Sequence, residues 1–278
     1  SFGNGVESNR IRDDYNAPLL DKGVKASTTL AEQYKEEKRG SGLIFSGIYN
    51  SMNGINRLNQ FIMAEKITKD LNPTYGTIQK LHTRDSDIIA LCQDKVLKIL
   101  AYKDALFNAD DTKNITAIPN VLGNSIPYVG EYGISQNPES FASEAYRSYF
   151  TDQERGVVLR LSRDGLTPIS GHGMKDWFSD AMLNNNQPIG FPDYKHNMVG
   201  NYDSKKSHYN ITLRGPNFLN SSHEDYGLLK TVSFSEKANG WVSFRGWTNR
   251  ETGFSLNNKY YTTYTGRLWE HHSDRSPR

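Results

Sequence analysis

The sequence predicts a mainly β protein of antiparallel hairpins and meanders, the blades of a β-propeller, with a short helix and long loops. Three observations predict it. Tight-turn pairs punctuate runs of β-branched and aromatic residues. The clearest is Asp164-Gly165, between Val157-Val-Leu-Arg-Leu161 and Leu166-Thr-Pro-Ile169, where glycine accepts the positive φ a hairpin turn needs. The chain carries 23 Gly, 16 Tyr and 12 Phe at only 36% hydrophobic content and a mean hydropathy of −0.69, which suits aromatics on sheet faces better than a helical bundle. Finally, a strand-turn-strand-turn-strand order follows each of two Asn-Pro pairs, Asn72-Pro73 and Asn137-Pro138, which lie 65 residues apart, a plausible blade period.

Taken in order, residues 1–40 lack sustained periodicity and carry the charge runs Arg10–Asp14 and Tyr34–Arg39, so they read as an extended arm or peripheral segment. A β-propeller-type domain is expected over 41–272 and a short tail over 273–278. Gly42–Tyr49 reads as a strand, Asn53-Gly54 as a turn, and Ile55–Ile62 as a helix or irregular strand. Strands follow at 78–82, 87–93 and 96–102, then a long loop over 103–126. The stretch 127–177 holds strands at 145–151, 157–161 and 166–169. Gly173–Leu183 is predicted as a short helix whose Met174, Trp177, Phe178 and Met182 share a face for packing on a sheet. A second long loop spans 184–197, and hairpins fill the remainder: 198–202 with 208–213, 231–235 with 240–245, and 255–264 with 267–271.

The bulk numbers exclude several classes. With 33 basic and 31 acidic residues the net charge is +2, which gives no global field of the kind nucleic-acid binders carry. Cys92 is the one cysteine and sits in the apolar run Ile88–Cys92, a core thiol rather than a nucleophile. No stretch has the length and apolarity of a membrane span, and no signal peptide is visible. The chain opens at Ser1 without a methionine, so it is expected to be a piece of a longer polypeptide. Phosphate-cradling glycine loops, nucleophile elbows and paired-cysteine metal knuckles are all missing from the sequence. His271-His272 is a poor metal pair, because adjacent strand residues point to opposite faces. Ser162-Arg-Asp-Gly-Leu-Thr167 resembles the structural Asp-box of sialidase-type propellers, without its spacer and closing aromatic. Paired carboxylates for glycoside chemistry would have to come from residues such as Asp87, Asp152 and Asp180, and sugar-stacking surfaces from Trp241, Trp247, Tyr260 and Tyr261. No enzyme, cofactor or metal is therefore expected. The interaction positions expected from the sequence are the hairpin tips Arg163, Asp164, Lys205 and Lys206.

Several long segments carry a family resemblance. Gly42–Ser51, Val129–Ala142, Tyr149–Asp152 with Arg155–Gly165, Gly240–Phe244 and Ser255–Tyr260 together resemble the tail nozzle, or muzzle, protein of crassviruses and related short-tailed phages, also called a stabilisation protein. The resemblance covers about residues 40–272. It implies a propeller-containing virion subunit of the tail, in a ring (expected to be a hexamer) that closes the DNA channel and opens for ejection. The implied partners are copies of the chain itself, another fragment of the same polypeptide, tail adaptor and ring proteins, and channel DNA held weakly and without sequence preference. The alternative is a glycan-binding or glycan-hydrolysing propeller of a receptor-recognition protein.

Overall fold

In the computed structural model, the residues described are 39–47, 49–52, 54–61, 66–85, 87–107, 113–183, 198–214, 229–247, 252–264 and 266–273. Nearly all of the expected arm, the 184–197 loop, Asn53 and residues 274–278 lie outside them. The described residues are mainly β, with antiparallel sheets and one α-helix. The chain divides into two compact units, Ser1–Ala90 with Leu97–Ile126, and Leu91–Val96 with Pro127–Arg278.

The first unit opens with β1 (Gly42–Ile44), β2 (Tyr49–Asn50), β3 (Ile55–Asn56) and β4 (Thr68–Asp70). β1 pairs with β4 and β2 with β3. The single strand expected over 42–49 is thus two short ones. The helix or strand expected over 55–62 shrinks to β3 followed by a turn closed by Gln60 N–H to Arg57 carbonyl (3.1 Å). The four-stranded sheet runs β5 (Ile78–Arg84), β6 (Asp87–Cys92), β7 (Val96–Phe107), β8 (Lys113–Pro127) in spatial order. The long loop expected over 103–126 is the largest correction, since most of it is the end of β7 and all but the last residue of β8. Asn114, Pro119, Asn120 and Gly123 hide that strand in the sequence. Pro119 is tolerated because β8 is an edge strand, where a missing N–H can face away from the ladder.

The second unit holds a meander, a helix and two further sheets. β9 (Ala142–Ser143), β10 (Ser148–Asp152), β11 (Val157–Ser162) and β12 (Gly165–Pro168) form one four-stranded sheet. Helix α1 (Lys175–Leu183) follows, with Phe178 and Met182 buried as their spacing predicts. β13 (Met198–Asp203), β14 (His208–Arg214), β15 (Leu229–Ser235) and β16 (Gly240–Arg245) form a second four-stranded sheet. β17 (Gly253–Leu256), β18 (Lys259–Tyr264) and β19 (Arg267–His271) form a sheet of three. β13 contacts both β9 and β17, so the first strands of the three sheets are neighbours. The sheets do not close on one another among the described residues.

Strand alternation places Tyr209, Ile211, Leu213, Val232 and Phe234 on one face of the β13–β16 sheet. They form a core with Tyr149 and Val158 of the first sheet and Phe178 and Met182 of α1. Each of the two Asn-Pro pairs opens a one-turn 3-10 helix, Pro73–Tyr75 or Pro138–Ser140, just ahead of a four-stranded sheet. The second turn is packed so closely that a Cβ on Gly200 would overlap the Ser140 carbonyl and lie 2.7 Å from the Tyr209 hydroxyl. Gly200→Ala is therefore expected to destabilise the unit by about 3 kcal/mol in urea denaturation. Gly171→Ala, with open space around the glycine, is expected to shift stability by less than about 0.5 kcal/mol.

Candidate functional site

Polar side chains of the second unit gather in three places. The first is the turn after β10. Asp152 is fully buried and its Oδ2 accepts from Gly133 N–H (3.1 Å) and the Arg155 guanidinium (2.9 Å). Its Oδ1 accepts from the Ser135 hydroxyl (2.9 Å) and Arg155 N–H (3.2 Å). A carboxylate so saturated holds a loop in place and has no lone pair left for chemistry.

The second gathering is the most concentrated set of charges in the unit. The tight turn between β9 and β10 supplies Glu144 and Arg147, and β10 and β11 place Tyr149 directly opposite Arg160. β13 supplies Tyr202, and the β15–β16 turn supplies Glu236. Glu236 accepts from the Tyr149 hydroxyl (2.8 Å) and Arg160 Nη1 (2.9 Å), with Arg147 Nε 3.7 Å away. Glu144 accepts from Arg147 Nη1 (2.8 Å) and the Tyr202 hydroxyl (3.2 Å). Tyr149 stacks on Tyr209 (centroids 4.9 Å apart, 13° between planes) and lies 6.0 Å from Tyr202. Burial, followed by the Glu236 hydrogen bond and charge, holds the Tyr149 phenol far above its ordinary value. Burial and the Glu144 charge push Tyr202 up to about 12. Two carboxylates face two guanidiniums here, and both phenols are kept neutral. That arrangement clamps the first sheet to the second, and offers neither a free nucleophile nor an acid with a mobile proton.

The third gathering lies where the β13–β14 turn meets the end of β19. Asp203 Oδ1 accepts from Lys205 N–H (3.0 Å) and Lys206 N–H (3.2 Å), and its Oδ2 is 2.9 Å from His272 Nε2. Lys205 Nζ donates to the His272 carbonyl (3.2 Å).

The tips expected from the sequence are thus placed on two separate hairpins. Arg163 and Asp164 form the exposed β11–β12 tip, with Asp164 N–H on Ser162 Oγ (3.3 Å). Lys205 and Lys206 form the exposed β13–β14 tip. No ion pair or hydrogen bond joins the two tips among the described residues. Asp87 is buried and paired with Lys98 (2.9 Å), Asp180 is exposed on α1, and neither accompanies Asp152. Trp241 packs on Phe178 and Phe234 and donates to the Ile169 carbonyl (3.0 Å), and Tyr260 is fully buried, so neither offers a sugar platform. His271 and His272 have different partners, Thr262 Oγ1 (2.7 Å) and Asp203. Among the described residues, no group of three or more His, Cys, Asp or Glu side chains is arranged to hold a metal ion. Cys92 is buried, and burial pushes its thiol up to about 11.

Sequence reasoning missed the Glu144–Glu236 clamp. The Tyr149–Arg160 pair was accessible from hairpin register, but Glu236 lies 87 residues from Tyr149, beyond any local signal.

No protein-family model and no curated protein matches the sequence. Among solved structures the chain is similar to the crystal structure of Citrobacter koseri AztD, at 11% identity and a TM-score of 0.32 over 74% of this chain. The match spans 61% of that protein's length.

Replacing Tyr149 by Phe leaves Glu236 short of one donor and is expected to cost about 2 kcal/mol in chemical denaturation. The raised phenols also set an alkaline limit. A phenol harder to ionise when folded adds stability below its ordinary value of 10 and loses it as the pH climbs above that. Denaturation midpoints are expected to hold up to about pH 10 and to fall above it, and Tyr209→Phe, which removes another phenol raised by burial, is expected to make that fall shallower.

Proposed function

We propose that this chain is a virion structural protein, a subunit of the tail nozzle ring of a short-tailed bacteriophage of the crassvirus kind. Its sheets are blades of a β-propeller, and the ring closes the DNA channel until ejection. The single observation that carries the reading is how the larger unit spends its polar and apolar groups. Glu144, Arg147, Arg160 and Glu236 are turned onto one another as a joint between sheets, whereas apolar side chains are left outward on the last sheet. In the two four-stranded sheets the third strands, β11 and β15, are largely buried. The equivalent third strand β19 exposes Leu268 (58%) and Trp269 (49%), and Leu268 shares its face with exposed Phe254 and Leu256. A strand with an open edge and uncovered apolar side chains is the usual signature of a surface that a neighbouring copy covers.

Other features support the same reading. The neighbouring first strands β9, β13 and β17 are arranged as the inner strands of consecutive blades are. A net charge of +2 suits a conduit past which a polyanion must slide, because many phosphate contacts would hold it. The segments that resemble nozzle proteins supply β10, β11 and most of β16, and they include the exposed Leu256.

Mass spectrometry of tails purified from the source virion, with imaging of their distal end, tests this directly. The expected result is this chain in a ring at the tail tip, beside a second fragment of the same polypeptide. Recovery only as a soluble monomer that never copurifies with tails overturns it. Leu268→Glu is expected to lower the assembled fraction in sedimentation analysis and leave thermal unfolding of the subunit unchanged. Unaltered assembly in that variant removes the β19 surface from the interface.

A further inference from the structure

Strands β13, β14 and β15 are buried on both faces of their sheet, but only one face is apolar. The opposite face carries Asn201 and Asp203 on β13, His208, Asn210 and Thr212 on β14, Thr231 and Ser233 on β15, and Arg245 on β16. These groups bond to one another: Thr212 to Thr231 (2.8 Å), Arg245 Nε to Ser233 Oγ (2.8 Å), and Arg245 Nη2 to His208 Nδ1 (3.2 Å). The three-stranded β17–β19 sheet is attached to this side through polar contacts. Gly253 N–H donates to Asn201 Oδ1 (2.8 Å), Ser204 N–H to Ser255 Oγ (2.9 Å), and Ser255 Oγ to the Tyr202 carbonyl (3.0 Å). His272 and its carbonyl complete the attachment through Asp203 and Lys205.

Two features make this joint weak. The Asn201 amide nitrogen, on a residue only 5% exposed, makes no hydrogen bond, so opening to water satisfies a group that closure leaves short. The joint also concentrates cations around one anion. Among the described residues, His208, His271 and His272 lie with Arg245, Lys205 and Lys206 near the carboxylate Asp203. Burial, and then the Arg245 guanidinium that donates to His208 Nδ1, hold that ring neutral, and a proton there would break the bond and set two cations against each other. His271 sits against Trp247 (4.5 Å) and Tyr260 (5.4 Å), where burial and the neighbouring His272 also disfavour its charged form.

We propose that the polar joint between the β13–β16 and β17–β19 sheets is a pH-sensitive separation plane, at which the terminal sheet detaches as the histidines become charged while the apolar side of β13–β16 stays closed. The sign follows from the neutral rings. His208 and His271 take up protons more readily once the joint is open, so its stability is complete above their ordinary value of 6.5 and is lost as the pH falls below it. The inference rests on the joint alone and holds whether or not the chain is a nozzle subunit.

Hydrogen exchange read by mass spectrometry on the full chain, with intrinsic rates corrected, tests it. Between about pH 7.5 and about pH 5.5, amides of β17–β19 are expected to lose at least about tenfold in protection, while β10, β11 and β14 change little. The double variant His208→Asn, His271→Gln keeps an acceptor for Arg245 and a partner for Thr262 without a titrating ring, and is expected to abolish the difference. Protection of β17–β19 that does not change with pH, or that falls equally across the whole unit, overturns the proposal in the native chain without any variant. Persistence of the difference in the folded double variant overturns the role of these two histidines.

Discussion

The larger unit depends on one constraint, the alternation of the β13–β16 sheet between two buried faces of opposite character. A strand buried on both sides has to satisfy everything it carries, because water reaches neither face. One face meets the condition with close-packed apolar groups: Tyr209, Ile211, Val232 and Phe234 against Tyr149, Val158, Phe178 and Met182. The other meets most of it with hydrogen bonds between neighbouring strands, Thr212 to Thr231 and Arg245 to Ser233 and His208. The sheet thus has one durable side and one conditional side. Apolar contact is indifferent to pH, whereas a ladder of hydroxyl, amide, imidazole and guanidinium groups depends on protonation and on competition from water.

The ion clusters follow the same division. The Glu144–Arg147–Glu236–Arg160 clamp lies at the edge of the apolar contact, where Tyr149 reaches out of the core to give Glu236 its proton donor. Its partners are matched in number and held by bonds near 2.8 Å, so the clamp adds register and orientation to a contact that burial already secures. At the other joint the balance is uneven, with buried Asp203 near Arg245, Lys206 and three imidazoles. Unequal charge makes a joint that responds to its surroundings; matched charge makes one that does not.

Local chemistry was legible in the sequence and long-range chemistry was not. Asp164-Gly165 gave the β11–β12 turn, and the spacing of Phe178 and Met182 gave the buried side of α1. β8 was read as a loop because Asn, Pro and Gly residues interrupt its alternation, and its identity as a strand comes from the ladder with β7, which no window of sequence contains. Of the carboxylates singled out by type, Asp152 and Asp180 of the larger unit have no common partner, while Glu144 and Glu236, which meet through Arg147, stand in ordinary turns. Charge, as opposed to spacing, was the only signal they carried. The polar face of β13–β16 was in principle visible, since His208-Tyr-Asn-Ile-Thr-Leu213 alternates cleanly. Alternation alone reads as one face in and one in water. Only the position of β17–β19 converts the wet face into a buried one.

The shortness of the last sheet ties these threads together. In the two four-stranded sheets of the larger unit the third strand has a neighbour on each side, and β11 and β15 are largely buried. Among the described residues β19 is an edge strand that carries exposed Arg267 and Glu270, and Glu270 is drawn to Lys259 (3.0 Å). Its neighbours on the inner side are polar as well, so the terminal sheet is bound loosely inward and left apolar outward. A sheet built this way gains more from a partner covering its outer surface than from its own chain. The same three strands therefore combine a polar attachment to β13 with exposed Phe254, Leu256 and Leu268 on their outer face, and whatever covers that face bears on whether the joint behind it stays closed.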